Sequence, residues 1–141
     1  MIVDASVIID AVADGHARGQ AARAALVAIP AGEPLIAPGH LAIEVLSGLV
    51  AAANRPLHPF QPSMIGEALR RAAALAVSIE ATQWSDVARA WELAQASMRY
   101  SDAVYVATAE RHTTTLLTAD RRLARSGAKI NCTIQTIDIH G

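Results

Sequence analysis

Four carboxylates in this chain sit where chemistry could be gathered. Asp4 ends the apolar run "MIV", Glu44 lies in "HLAIEVLSGL", Asp102 in "YSDAVYVATAE", and Asp120 follows "TLLT". No Lys or Arg stands next to Asp4 in the chain. Two carboxylates about 4 Å apart repel by roughly 4 kcal/mol at an effective dielectric near 20. Several together would threaten a domain whose whole stability is about 5–15 kcal/mol. Protonation relieves that cost, and so does a divalent cation. All-oxygen ligation without His or Cys suits Mg²⁺ or Mn²⁺ better than zinc or copper.

Each acid also has a plainer explanation. Asp4 and Asp120 suit helix N-caps, and Asp102 suits a first-turn carboxylate favoured by the helix dipole. Glu44 suits a solvated surface, although Leu41 and Val45 put it beside an apolar stripe. Capping explains neither Glu44 nor any convergence of the four.

The elements that must position these groups alternate in type. "MIV" reads as a strand, followed by a helix from near Ala5 or Ser6 and another over about 16–28. "PLIA" reads as a second strand and "PGHLAIEVLSGLVAAANR" as a long helix with Leu41, Val45 and Leu49 on one stripe, Glu44 about two turns in. Pro56, Pro59 and Pro62 interrupt the chain before a helix near 63–76. Segment 83–98 is the clearest amphipathic helix, and Trp84 and Trp91 on its stripe read as core or subunit-interface residues. A helix follows Ser101, then the strand "TTTLLT", a short helix from about Ala119 stopped by Gly127, and a last strand "CTIQTI".

Strands alternating with helices predict an α/β sandwich, a parallel sheet with helices on its faces. Such a sheet is buried on both sides, so its strands read as continuous apolar runs. In that architecture ligands bind beyond the carboxyl ends of the strands, which places Asp4 and Asp120 on one edge with Glu44 and Asp102 within reach.

The chain of 141 residues, 52% of them apolar, fits one globular domain over 1–141 with a real core. Its apolar runs are far short of the roughly 20 residues of a membrane span, and the N-terminus lacks a signal-peptide pattern, so a cytoplasmic, non-membrane protein is expected. Cys132, the sole cysteine, reads as a small buried hydrophobe. The net charge of −1 argues against a strongly basic nucleic-acid binder. With four acids assigned to a cation, however, nine remain against twelve Lys and Arg, a surface a polyanion tolerates. No dinucleotide fingerprint, P-loop or HExxH is present. His16, His40, His58, His112 and His140 show no ligand spacing and read as ordinary.

At its four acids the sequence resembles the PIN-domain ribonucleases, specifically the VapC-type toxins of bacterial toxin–antitoxin pairs. "MIVDASVII" is similar to that family's opening strand with its Asp and a following hydroxyl residue, here Asp4 and Ser6. "HLAIEVLSGL" resembles its glutamate-bearing helix, and "YSDAVYVATAERHTTTLLTADRRLA" its best-marked segment, with Asp102, Thr118 and Asp120. The likeness covers essentially the whole chain. One departure is Ser101 before Asp102, where many relatives carry an aromatic residue; here Tyr100 lies one place earlier. That change is expected to alter packing or substrate contacts, not metal binding.

The resemblance implies a PIN-like three-layer sandwich with a short, mostly parallel sheet. It also implies an Mg²⁺-dependent endoribonuclease, with Mn²⁺ an alternative, in which Asp4 and Asp102 ligate the principal ion. Glu44 and Asp120 would take a second ion or orient its water, with Ser6 and Thr118 fixing carboxylate orientation. Arg99, Arg121, Arg122 and Arg125 are candidate RNA contacts, or simply solvated arginines. An RNA substrate, a cognate antitoxin and a homodimer follow from the resemblance alone. Two rival classes are a non-catalytic RNA- or protein-binding PIN domain and a receiver-like Mg²⁺-binding signalling domain. The second would want paired acids after the first strand and a lysine after the last; the chain's only lysine is Lys129.

Overall fold

The computed structural model describes residues 1–139. Five short strands form one sheet: β1 (Ile2–Val3), β2 (Ile36–Pro38), β3 (Ser78–Glu80), β4 (Leu116–Thr118) and β5 (Ile134–Thr136). Their order is β3-β2-β1-β4-β5 and every pairing is parallel. Ile2, Val3, Leu116 and Leu117 are fully buried, as apolar runs covered on both faces should be.

Two helices, α1 (Ala5–Ala13) and α2 (Ala17–Val27), join β1 to β2; α3 (Leu41–Ala53) and α4 (Ile65–Ala74) join β2 to β3. The pair α5 (Trp84–Ala94) and α6 (Tyr100–Arg111) carries the chain back across the sheet to β4. Right-handed crossovers place helices according to the direction of travel. The chain steps outward from β1 to β3 and then reverses, so α1–α4 cover one face and α5–α6 the other. Accordingly α1 packs on α2, α3 and α4, while α6 packs on β1, β2 and β4 with α5 against it. The three-layer sandwich is the one expected, with a sheet wholly parallel among its described strands.

Several local expectations are corrected. Strand β3 was not foreseen, because Ser78 and Ile79 are exposed at the sheet edge and form no apolar run. No helix forms after Ala119: the chain runs through successive turns over 121–126, with Leu123 N–H bonded to Asp120 and Arg125 N–H to Arg122. Helix α5 stops at Ala94, short of 98, and Ser97 follows with φ of 74°. Trp84 and Trp91 are exposed, at 86% and 61%, and do not enter the core. The inward face of α5 is instead Asp86, Ala90 and Leu93, and small alanines on α6 let the two helices approach. Helix α3 starts at Leu41, after Pro38 and Gly39, so Glu44 falls in its first turn and not two turns in.

Candidate functional site

The strand order reverses at β1, and the crevice between β1 and β4 opens at their carboxyl ends, where such sheets bind ligands. Asp4 leaves β1 there. It caps α1, its Oδ1 accepting the Ser6 backbone N–H at 3.1 Å and also the Ser6 hydroxyl. Its Oδ2 accepts the Thr118 hydroxyl at 2.5 Å. The two hydroxyls are themselves anchored across the crevice: Ser6 Oγ accepts the Ala119 N–H and Thr118 Oγ1 the Asp120 N–H, each at 3.0 Å. Asp4 is almost wholly buried. Burial pushes its carboxyl up to about 6, against the pull of the Ser6 and Thr118 hydroxyls, and the nearby Asp102 adds to the rise.

Asp102 lies in the first turn of α6, which places a negative charge at the positive end of the helix. Burial raises its pKa; the Arg99 guanidinium, 3.2 Å from Oδ2, opposes this, and the charges of Asp120 and Glu44 add to it. Asp102 is therefore electrostatically coupled to each of the other three acids.

Glu44 is held from two sides. Its Oε1 accepts the Tyr105 hydroxyl at 2.7 Å and lies 3.1 Å from His40 Nε2. Burial pushes its carboxyl up, but the hydrogen bonds from His40 and Tyr105 and the His40 charge outweigh it, so the pKa falls. Asp120 makes an Asx turn with the Arg122 N–H at 2.9 Å and pairs with the Arg122 guanidinium; that pairing, against weaker desolvation, holds its pKa low.

Of the arginines expected at an RNA surface, Arg99 lies on Asp102, Arg122 on Asp120, and Arg121 is 3.6 Å from Asp138. Arg99, Arg121 and Arg122 line one open cleft with Ser6 and Asp120; Arg125 lines a neighbouring one with Arg121. Arg18, unnoticed in the sequence, enters the first cleft from α2. His40 and Tyr105 were also missed. The available signals were spacings: His40 is four residues before Glu44 and Tyr105 three after Asp102, so each shares a helix face with an acid.

With these side-chain conformations, no three His, Cys, Asp or Glu among the described residues stand close enough to hold an ion. The donor chemistry nevertheless fits a hard cation: the charges of three carboxylates converge on a fourth, and one of them is deeply buried. Drawing them together requires Arg99 and Arg122 to leave Asp102 and Asp120. Both arginine side chains are largely exposed and can swing out into solvent, whereas the two carboxylates they cover are mostly buried.

Fold and crevice together define a three-layer parallel α/β domain with electrostatically coupled carboxylates about its switch point. The sequence matches the PIN domain over residues 1–129, and the chain belongs to that family. None of the curated proteins is similar enough to match it. Among solved structures it is similar in fold to VapC20 of Mycobacterium tuberculosis, a sarcin-ricin loop cleaving toxin, with 18% identity and a TM-score of 0.67 over 94% of this chain and 98% of that one. A toxin–antitoxin complex from Klebsiella pneumoniae is similar with 22% identity and a TM-score of 0.62, over 84% and 85%. So is VapBC2 from Rickettsia felis bound to a DNA fragment from its promoter, with 12% identity and a TM-score of 0.69, over 97% and 98%.

Proposed function

We propose that this chain is a metal-dependent endoribonuclease and the toxin of a type II toxin–antitoxin pair. The observation that carries the reading is the coupling of Asp102 to Asp4, Glu44 and Asp120 at the β1–β4 crevice of a PIN domain. Asp4 and Asp102 would hold the principal Mg²⁺ or Mn²⁺, with Glu44 and Asp120 completing the donor set. When bound, the ion supplies a water of lowered pKa and a counter-charge for the phosphate. The chain's own residues do the rest. Ser6 and Thr118 keep both Asp4 oxygens oriented, and burial of Asp4 discourages its charging without a cation. Arg18, Arg99, Arg121 and Arg122 border the cleft through which an RNA backbone would approach.

The fold likeness to toxin–antitoxin structures supports an antitoxin as partner; homodimerisation and a cytoplasmic location belong to the same proposal. Among the described residues no helix is long and apolar enough to cross a membrane.

The test is incubation of purified protein with mixed RNAs, with Mg²⁺ or Mn²⁺ and with chelator. Cleavage that leaves 5′-phosphate ends, stops with chelator and is lost in Asp4→Asn is the expected result. Equal cleavage by that variant would overturn the assignment, and RNA binding without cleavage would favour the non-catalytic alternative.

A further inference from the structure

The chemistry assigned to the four acids leaves one cluster unused. Tyr105, 1% exposed, points its hydroxyl at Glu44 Oε1 at 2.7 Å, and the Ala5 backbone N–H is directed at the same hydroxyl. Ala5 immediately follows Asp4, and Tyr105 lies one turn after Asp102 on α6. One phenol thus joins the elements that carry three of the four acids. His40 completes the arrangement: its Nε2 lies 3.1 Å from both Glu44 Oε1 and the Ser101 carbonyl, and its ring leans on Tyr105 with centroids 4.7 Å apart.

A glutamate side chain has three rotatable bonds, and Glu44 is only half-buried, so packing alone does not fix its carboxylate. Two donors on one oxygen do. We propose that Tyr105 and His40 are positioning residues, a clamp that sets the Glu44 carboxylate for the divalent ion. The inference rests on the nuclease reading above and names residues that the four-acid set does not include. Groups that orient metal-binding carboxylates are commonly worth about 10–100-fold in affinity or activity. The phenol and imidazole need touch neither ion nor RNA; they act through Glu44.

The experiment is a double-mutant cycle on the full chain with Tyr105→Phe, Glu44→Gln and both together. Mn²⁺ affinity is measured by calorimetry and RNA cleavage as kcat and KM, with melting temperature as a control. In the Glu44 background Tyr105→Phe should weaken Mn²⁺ binding and lower kcat about tenfold with KM little changed. In the Glu44→Gln background the same substitution should do nothing further. His40→Gln provides a second route to the same readings should Tyr105→Phe fold poorly. A Tyr105→Phe effect equally large in both backgrounds would show a structural role and overturn the clamp. If Glu44→Gln is impaired while Tyr105→Phe and His40→Gln match the parent, the clamp alone fails. If Glu44→Gln itself matches the parent in Mn²⁺ binding and cleavage, the role of Glu44 in the nuclease reading fails, and the clamp with it.

Discussion

Thr118, the last residue of β4, donates its hydroxyl to Asp4 Oδ2 at 2.5 Å, from a position 114 residues further along the chain. The parallel register makes this possible. Ile2 pairs with Leu116 and Val3 with Leu117, so Asp4 emerges beside Thr118. The same hydroxyl accepts the Asp120 N–H, which sets where the second acid of this edge begins its turn. Two acids distant in sequence are therefore held by one side chain.

Replacing that side chain with an isostere tests the relationship. Thr118→Val keeps the volume of a fully buried residue but leaves Asp4 without one donor and the Asp120 N–H without its acceptor. A buried polar group left unpaired costs about 1–3 kcal/mol. Urea denaturation should show a loss in that range, together with reduced RNA cleavage. Unchanged stability would mean that the hydrogen bond contributes nothing net.

Asp4 should make the metal-free protein less stable as pH rises. Its folded pKa of about 6 lies above the ordinary aspartate value of 3.8, so between those values the native state binds more protons than the unfolded state. The stabilisation from the protonated carboxyl is fully present below about pH 4 and is lost as pH rises through 6. A shift of two units corresponds to roughly 3 kcal/mol. Asp4→Asn should accordingly raise metal-free stability at pH 7.5 and have little such effect at pH 3.5, by denaturant titration. The opposite order would favour a purely capping role for the charged form.

Metal binding should carry the reverse dependence. A cation must displace the proton that Asp4 holds below about pH 6, so apparent Mn²⁺ affinity should fall by about tenfold per pH unit in that range. Above pH 7 the dependence from this group should flatten. Affinity measured from pH 5 to 8 checks it; a flat profile throughout would remove Asp4 from the ligand set.

The turn between α1 and α2 offers a prediction independent of any chemistry. A Cβ at Gly19 would lie 1.7 Å from the Asp14 carbonyl oxygen, a backbone atom that cannot rotate away, while Asp14 Oδ1 accepts the Gly19 N–H at 3.1 Å. Despite the better helix propensity of alanine, Gly19→Ala should destabilise the fold by at least about 1 kcal/mol in chemical denaturation. A stabilised variant would show that this turn relaxes freely.

How far the sequence could be read depended on how local the determining force was. Apolar runs revealed β1, β2 and β4 because both their faces are covered, and Leu41, Val45 and Leu49 revealed α3 because one stripe is buried; β5, an edge strand with Gln135 exposed, was legible without such a run. Strand β3, Ser78–Glu80, is an edge with little burial and left no such pattern. The region after Ala119 carries good helix formers, yet a tertiary hydrogen bond from the Ala119 N–H to Ser6 and a local one from the Asp120 N–H to Thr118 hold its start, and turns follow. Trp84 and Trp91 matched a helical period without saying which side faced the core. Asp4 and Asp120 were legible as strand-end residues and Asp102 as a first-turn residue, whereas Glu44 was placed too deep in α3. The Tyr105 contact with Glu44 spans 61 positions and left only a spacing to notice.

The most direct measurement is a calorimetric titration of Mn²⁺ into the metal-free parent and into Asp102→Asn, the acid whose charge is felt by the other sites of the crevice. Saturable binding by the parent is expected, weakened by at least about 100-fold in a variant that melts no lower than the parent without metal. Absence of binding by the parent, or equal affinity in the two proteins, would contradict a cation held by these carboxylates.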